Sequence, residues 1–234
     1  MNEWLAPTRP RAHAESVLLA AILDGTFPPG TTLPGERTLA AQLGVTRPTL
    51  REALGRLARD GWLTVAHGKL TLVNNFWEEG GLNVLGKLVE HPAYLPPDFV
   101  AQLLEVRLHL APAYTRAAVA RAAPELAAFL GAAETLAGPA DYARFDWQLH
   151  HLLTVRSGNP IYTLILNGFR GFYEDIARRY FAAPEARRLS AQFYADLRAA
   201  ARAADAAAAE ALARAVMHRS MSTWSERAAD TEEE

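Results

Sequence analysis

Arg47 and Arg51 stand four residues apart, so on a helix both long side chains leave the same face. A guanidinium is a planar fork of donors that suits a guanine edge or a phosphate. Arg37 precedes them, and Thr46 and Thr49 flank Arg47 and Pro48. Thr46 can accept the Thr49 backbone N–H and so start a helix. The free N–H groups and partial positive charge of that start favour phosphate. Further on, His67-Gly68-Lys69 places a cation on a turn. Gly68 lets such a turn approach closely, and Lys69 can enter a minor groove. From Arg37 to Lys69 six basic residues face two acidic ones, whereas the whole chain carries 24 basic and 26 acidic residues, a net charge of −2. A single surface arginine is most often a solvated face. A basic patch on a weakly acidic chain is the electrostatic footprint of nucleic-acid binding.

A second constellation lies far downstream. Asp146 and His150 have D-x-x-x-H spacing, which puts both on one face of a helix and fits a divalent metal. Two ligands do not make a tight site, so no metal is expected there. His91, His109 and His151 read as ordinary surface or partner-bonded histidines. The stretch Ile161–Phe181 is strongly apolar and aromatic. It suits either an ordinary aromatic core or an apolar tunnel for a ligand. The Phe169–Phe172 segment, with its glycine, reads as a mid-helix close-packing site. Catalysis is not indicated: there is no G-x-S-x-G, no P-loop and no dinucleotide fingerprint. The absence of cysteine excludes disulfides, thiolate metal sites and a cysteine nucleophile. The apolar runs are shorter than a membrane span and the first residues have no leader layout, so a soluble cytoplasmic protein without a membrane partner is expected.

These residues need elements to hold them. Residues 1–10, with Arg9, and nearby Arg11 read as an arm. Ala12–Gly25 is a helix with Val17, Leu18, Ala21 and Ile22 on its apolar stripe, ended by Phe27-Pro28-Pro29-Gly30. A short helix, Glu36–Leu43, meets a Gly44-Val45 turn. A second helix, Arg47–Asp60, has Pro48 in its first turn and buries Leu50, Leu54 and Leu57. Strand-like runs at Trp62–Ala66 and Leu70–Val73 flank His67-Gly68-Lys69, completing the outline of a helix-turn-helix with a β-wing. Asn74–Gly81 carries Phe76 and Trp77 and reads as an anchored joint, since a flexible linker would be rich in glycine and serine.

The rest reads as helix. Expected helices are Leu82–Glu90, a long one from Pro97-Asp98 towards Ala122 with Phe99, Leu103, Val106 and Leu110 buried, then Pro124–Leu136. Pro139–Arg156, Ile161–Phe181, Pro184–Ala204 and Ala206–Arg227 follow, with a solvated tail. The expected fold is mainly α: a winged helix-turn-helix domain over residues 1–73, a linker over 74–81 and an all-α bundle of six to seven helices over 82–234.

The segments PPGTTLPGERTLAAQLGVTRPTLREAL and GRLARDGWL resemble the GntR family of bacterial winged-helix regulators. LARDGWLTVAHGKLTLVNNFWEEGGLNVL, SGNPIYTLILNG and RRYFAAPEARRLSAQFY are similar to its fatty acid metabolism regulators, the FadR group, from about Phe27 to Trp224. The resemblance implies a homodimeric regulator, repressor or activator, on palindromic operator DNA. The DNA contacts it implies are Arg37, Thr46, Arg47, Thr49, Arg51, His67, Gly68 and Lys69. It implies no cofactor, but an effector, long-chain acyl-CoA, bound in the bundle at Arg107, Tyr173, Tyr180, Ser220 and Trp224. Two positions depart from the group: Met217 stands where glycine is usual, which narrows the pocket mouth, and Pro48 stands where threonine is usual. Other GntR relatives hold a metal with the Asp146–His150 pair and two later histidines, whose positions here fall on Tyr194 and Val216; His218 is out of phase. A GntR-type regulator sensing a metal-bound organic acid is therefore the alternative, and an enzyme acting on acyl-CoA a third reading.

Overall fold

The computed structural model describes residues 10–88 and 90–232, and the chain divides after Leu95 into two compact units. The expected arm therefore lies outside the described residues except at its end. Helix α1 spans Pro10–Leu23 and takes in Arg11, whose guanidinium pairs with Glu52 at 3.3 Å rather than standing on an arm.

In the N-terminal unit, α1 buries Ala14, Leu18, Leu19 and Ile22. Helix α2 (Glu36–Gln42) and helix α3 (Arg47–Arg59) follow, joined through Gly44, whose φ of +64° is the left-handed conformation a tight turn needs. Thr46 caps α3 as its sequence demands, accepting the Thr49 N–H at 3.3 Å. Leu50, Ala53, Leu54 and Leu57 are buried beneath it, which leaves Arg47 and Arg51 outward. The wing is smaller than expected. Strands β1 (Leu63–Thr64) and β2 (Leu72–Val73) pair antiparallel, Leu63 opposite Val73. Val65 and Leu70, assigned to strands by their apolar character, are more than half exposed and find nothing to pack on. Thr31–Leu33 pairs on the far side of β2, through Val73 N–H to Thr31 O and Leu33 N–H to Thr71 O, both at 2.8 Å. Its neighbouring prolines hide this strand-like segment in the sequence.

The joint is built in through Phe76, whereas Trp77 is about half exposed. Helix α4 (Phe76–Glu79) drives Phe76 against the fully buried Trp62, ring centroids 4.7 Å apart. Buried Asn74 accepts from the Thr64 hydroxyl at 2.8 Å and donates to Gly61 O at 3.1 Å. Gly80 is pressed so close that a Cβ would lie 2.3 Å from the Phe76 carbonyl oxygen. Helix α5 (Leu82–Leu88) buries Val84 and Leu88 in the same core. Packing thus carries the N-terminal unit past residue 73, through the segment expected to link and into the helix expected to open the bundle.

The C-terminal unit is all helix among its described residues. Helix α6 (Phe99–Leu130) kinks at Ala122 (φ −142°, ψ 33°), where Pro124 lacks the N–H that would continue the ladder. The expected break is therefore a bend. After a 3-10 turn come α7 (Pro139–Arg156), α8 (Pro160–Gly168) and α9 (Arg170–Phe181). The single helix expected over Ile161–Phe181 is two, split at Phe169. Gly171 faces open space, so it is not a close-packing site. Helices α10 (Pro184–Arg202) and α11 (Ala206–Glu232) complete the bundle, with α6 packed against α7, α10 and α11. Residues such as Ala111, Ala118, Leu149, Leu197 and Ala213 have essentially no exposure and form the spine of its core. Among the described residues no helix is long and apolar enough to cross a membrane.

Candidate functional site

Two assemblies of side chains stand out, one in each unit. On the N-terminal unit, α3 presents Arg47 and Arg51 from its first two turns, both more than half exposed. Thr46 and Thr49 share a hydroxyl–hydroxyl hydrogen bond of 2.8 Å at the helix start. Arg37 is exposed on α2, and His67, Gly68 and Lys69 are exposed at the wing tip, where Gly68 has φ +70°. The eight residues singled out are thus surface groups on α2, on α3 and at the tip of the wing. Glu36 was not singled out. Its carboxylate lies 2.8 Å from Arg51 Nε and 3.5 Å from Arg47 Nη2. No spacing rule links residues so far apart in the chain, so only the fold reveals it.

Inside the C-terminal unit is a cavity of about 100 Å³. A water needs roughly 10–15 Å³ on such a scale, so the space exceeds a packing defect. Its wall is mostly apolar, and all five expected ligand residues, Arg107, Tyr173, Tyr180, Ser220 and Trp224, line it. Leu103, Val106 and Leu110 line it too, which explains why that stripe of α6 is not fully buried and why Val106 remains exposed. Met217 forms part of the wall one turn before Ser220. Tyr180 and Ser220 join hydroxyls at 3.1 Å across α9 and α11.

At another part of the wall Asp146 gathers four helices. Arg107 Nη2 donates to its Oδ2 at 2.8 Å, Tyr194 donates to Oδ1 at 2.8 Å, and the Tyr173 hydroxyl donates to Oδ2. Arg107 also lies over the Tyr173 ring, 5.4 Å from its centroid. Burial by itself would raise the Asp146 carboxyl. The Arg107 guanidinium, followed by His150 and the two phenols, outweighs it and holds the group down at about 2. Burial, with Arg107 adding to it against the pull of Asp146, pushes His150 down to about 3, so the ring is neutral at pH 7. Its Nδ1 lies 2.7 Å from the Tyr114 hydroxyl. Burial likewise raises Tyr114, Tyr173 and Tyr194, which therefore stay protonated as donors.

This geometry bears on the metal question. Asp146 and His150 do share a face, with Oδ1 and Nε2 3.7 Å apart. Yet both carboxylate oxygens are already engaged, and the charge opposite Asp146 is Arg107. Tyr194 turns its hydroxyl to Asp146, Val216 is a cavity wall residue and His218 is exposed. Among the described residues no three His, Asp or Glu side chains gather as a metal site. The central role of Asp146 had a signal in sequence: Ala143, Asp146, His150 and Leu153 fall on one helical stripe, so a carboxylate there had to find buried partners.

Residues 10–73 match the model for bacterial regulatory proteins of the gntR family, and residues 74–234 match that for the FadR C-terminal domain. The matches meet at residues 73 and 74, whereas the packing divides after Leu95. A fatty acid metabolism regulator protein of Shewanella sp. (strain ANA-3) is 46% identical over 83% of this chain and 81% of its own. The protein of that name from Shewanella amazonensis is 48% identical over 80% of this chain and 79% of its own. Among solved structures, Lar, which controls the expression of the Listeria monocytogenes agr system, is similar in fold, with a TM-score of 0.57 at 18% identity over 90% of this chain and 94% of that one. The chain therefore belongs to the GntR family of bacterial regulatory proteins, among the fatty acid metabolism regulators with a FadR C-terminal domain: it is a DNA-binding transcription regulator, not an enzyme.

Proposed function

We propose that this regulator binds the operators of fatty acid metabolism genes as a homodimer and leaves them when long-chain acyl-CoA occupies the C-terminal cavity. The observation that carries this reading is the cavity itself, an apolar interior into which the hydroxyls of Tyr180 and Ser220 and the Arg107–Tyr173–Asp146 cluster converge. An acyl chain suits the apolar wall. A thioester carbonyl suits the hydroxyl pair or the Arg107 Nε, a buried donor without a hydrogen-bond partner. Arg107 is already neutralised by Asp146, so its role fits a carbonyl better than a phosphate. Arg37, Arg47, Arg51 and Lys69 meet base edges or phosphates, with Thr46 and Thr49 on the backbone.

Release follows if the ligand binds one arrangement of α6, α9 and α11 better than another and the built-in joint passes that change on. A coupling of about 1–3 kcal/mol already alters operator affinity roughly 5–150-fold. The test is binding of a duplex selected by this protein, with and without oleoyl-CoA. Equal affinities overturn the reading.

A further inference from the structure

Glu36 is the first residue of α2 and sits in front of α3, its carboxylate shared by Arg47 and Arg51. All three side chains keep substantial exposure, so the pair contributes little to stability and is not explained as a fold requirement. We infer that Glu36 is a positioning residue for sequence discrimination, holding the two arginines of the recognition helix in one posture and opposing any duplex that offers them phosphate alone. The inference rests on the DNA-contact reading of Arg47 and Arg51 given above.

Arg51 spends its Nε on Glu36. Both of its Nη groups are left for a bidentate acceptor such as a guanine edge. A free arginine side chain would settle on whichever phosphate came nearest, because phosphate attraction does not depend on sequence. A tethered one has already lost part of its rotational freedom, so a matching base edge gains more from it than a mismatched one does. The carboxylate also faces the polyanion. It disfavours every duplex by charge, and the disfavour is offset only where base contacts form, which is how a repulsive group raises specificity.

The experiment uses the full chain with Glu36→Gln and Glu36→Ala. Each is titrated against a duplex that the unsubstituted protein recovers from a randomised pool and against a shuffled duplex of the same composition. The shuffled duplex should bind about 3–10-fold tighter, and the ratio of selected to shuffled affinity should fall about fivefold or more, with the melting temperature unchanged. A ratio within about twofold of the original in both variants overturns the inference. Arg47→Ala and Arg51→Ala run alongside. If they leave both duplexes equally well bound, the DNA-contact reading itself has failed. If they weaken binding while the Glu36 ratio holds, the role of Glu36 alone has failed.

Discussion

Arg107 on α6 donates from Nη2 to Asp146 Oδ2 on α7 at 2.8 Å, inside the C-terminal unit. The positive charge opposite Asp146 is thus a guanidinium. Removing one partner of a buried pair strands the other. Arg107→Met should therefore lower unfolding stability by about 3 kcal/mol, the lower end of the usual range because Tyr173 and Tyr194 still donate to Asp146. Urea unfolding at neutral pH measures it, and a loss below about 1 kcal/mol would mean the pair is no keystone.

Acid should act through His150. Its folded pKa is depressed to about 3 from 6.5, so the unfolded chain takes a proton that the folded chain refuses. Stability from this group is present above its unfolded value of 6.5 and is lost as pH falls from there towards about 3, at up to about 1.4 kcal/mol per unit. Asp146, held at about 2 from 3.8, adds a loss of the same sign below its unfolded value. Compared with the original chain, His150→Asn should lose roughly 1–2 kcal/mol less between pH 7.5 and pH 5. Parallel pH dependences in the two proteins would remove His150 from the account.

At the DNA face, reversing charge with Arg47→Glu and Arg51→Glu should abolish retention of the selected duplex. Milder Arg47→Gln and Arg51→Gln variants, which still bind, should flatten the dependence of log affinity on log salt by up to about 0.9 for each arginine that meets a phosphate. Anisotropy titrations over a salt series give both values. An unchanged slope would place the DNA elsewhere on the molecule.

Met217 forms part of the cavity wall, at the position where the family resemblance implies glycine. Met217→Gly should enlarge the cavity and favour longer acyl chains, raising oleoyl-CoA affinity by about threefold to tenfold, while costing about 3–5 kcal/mol, because a buried side chain is lost and glycine enters a helix. Thermal shifts across an acyl-CoA series separate the two effects, because bound ligand stabilises by mass action. Affinity that falls for every chain length would show that the thioether is itself a contact.

Gly80 offers a test of the joint. Its missing Cβ leaves room for the Phe76 carbonyl and the Val84 side chain, which a methyl would meet at 2.3 and 2.7 Å. Gly80→Ala should destabilise the N-terminal unit by about 1–3 kcal/mol, the usual range for overpacking. A neutral result in denaturant unfolding would mean that the segment yields.

The sequence by itself determined the recognition helix. Thr46, Pro48 and the leucines at 50, 54 and 57 act over one to three turns, and such local chemistry needs no distant partner to declare itself. It also determined the anchoring of the joint through Phe76 and the predominance of helix among the described residues after Leu82. The five cavity residues came from family resemblance, since periodicity cannot tell an aromatic core from a pocket. Tertiary structure alone decided the length of the wing, the split at Phe169, the inclusion of α5 in the N-terminal core, and the partners of Asp146 and Glu36. Each of these depends on groups brought together from separate elements. Hydrogen bonds and ion pairs act over a few ångströms of space, and the chain order carries no record of which distant side chain will close that gap.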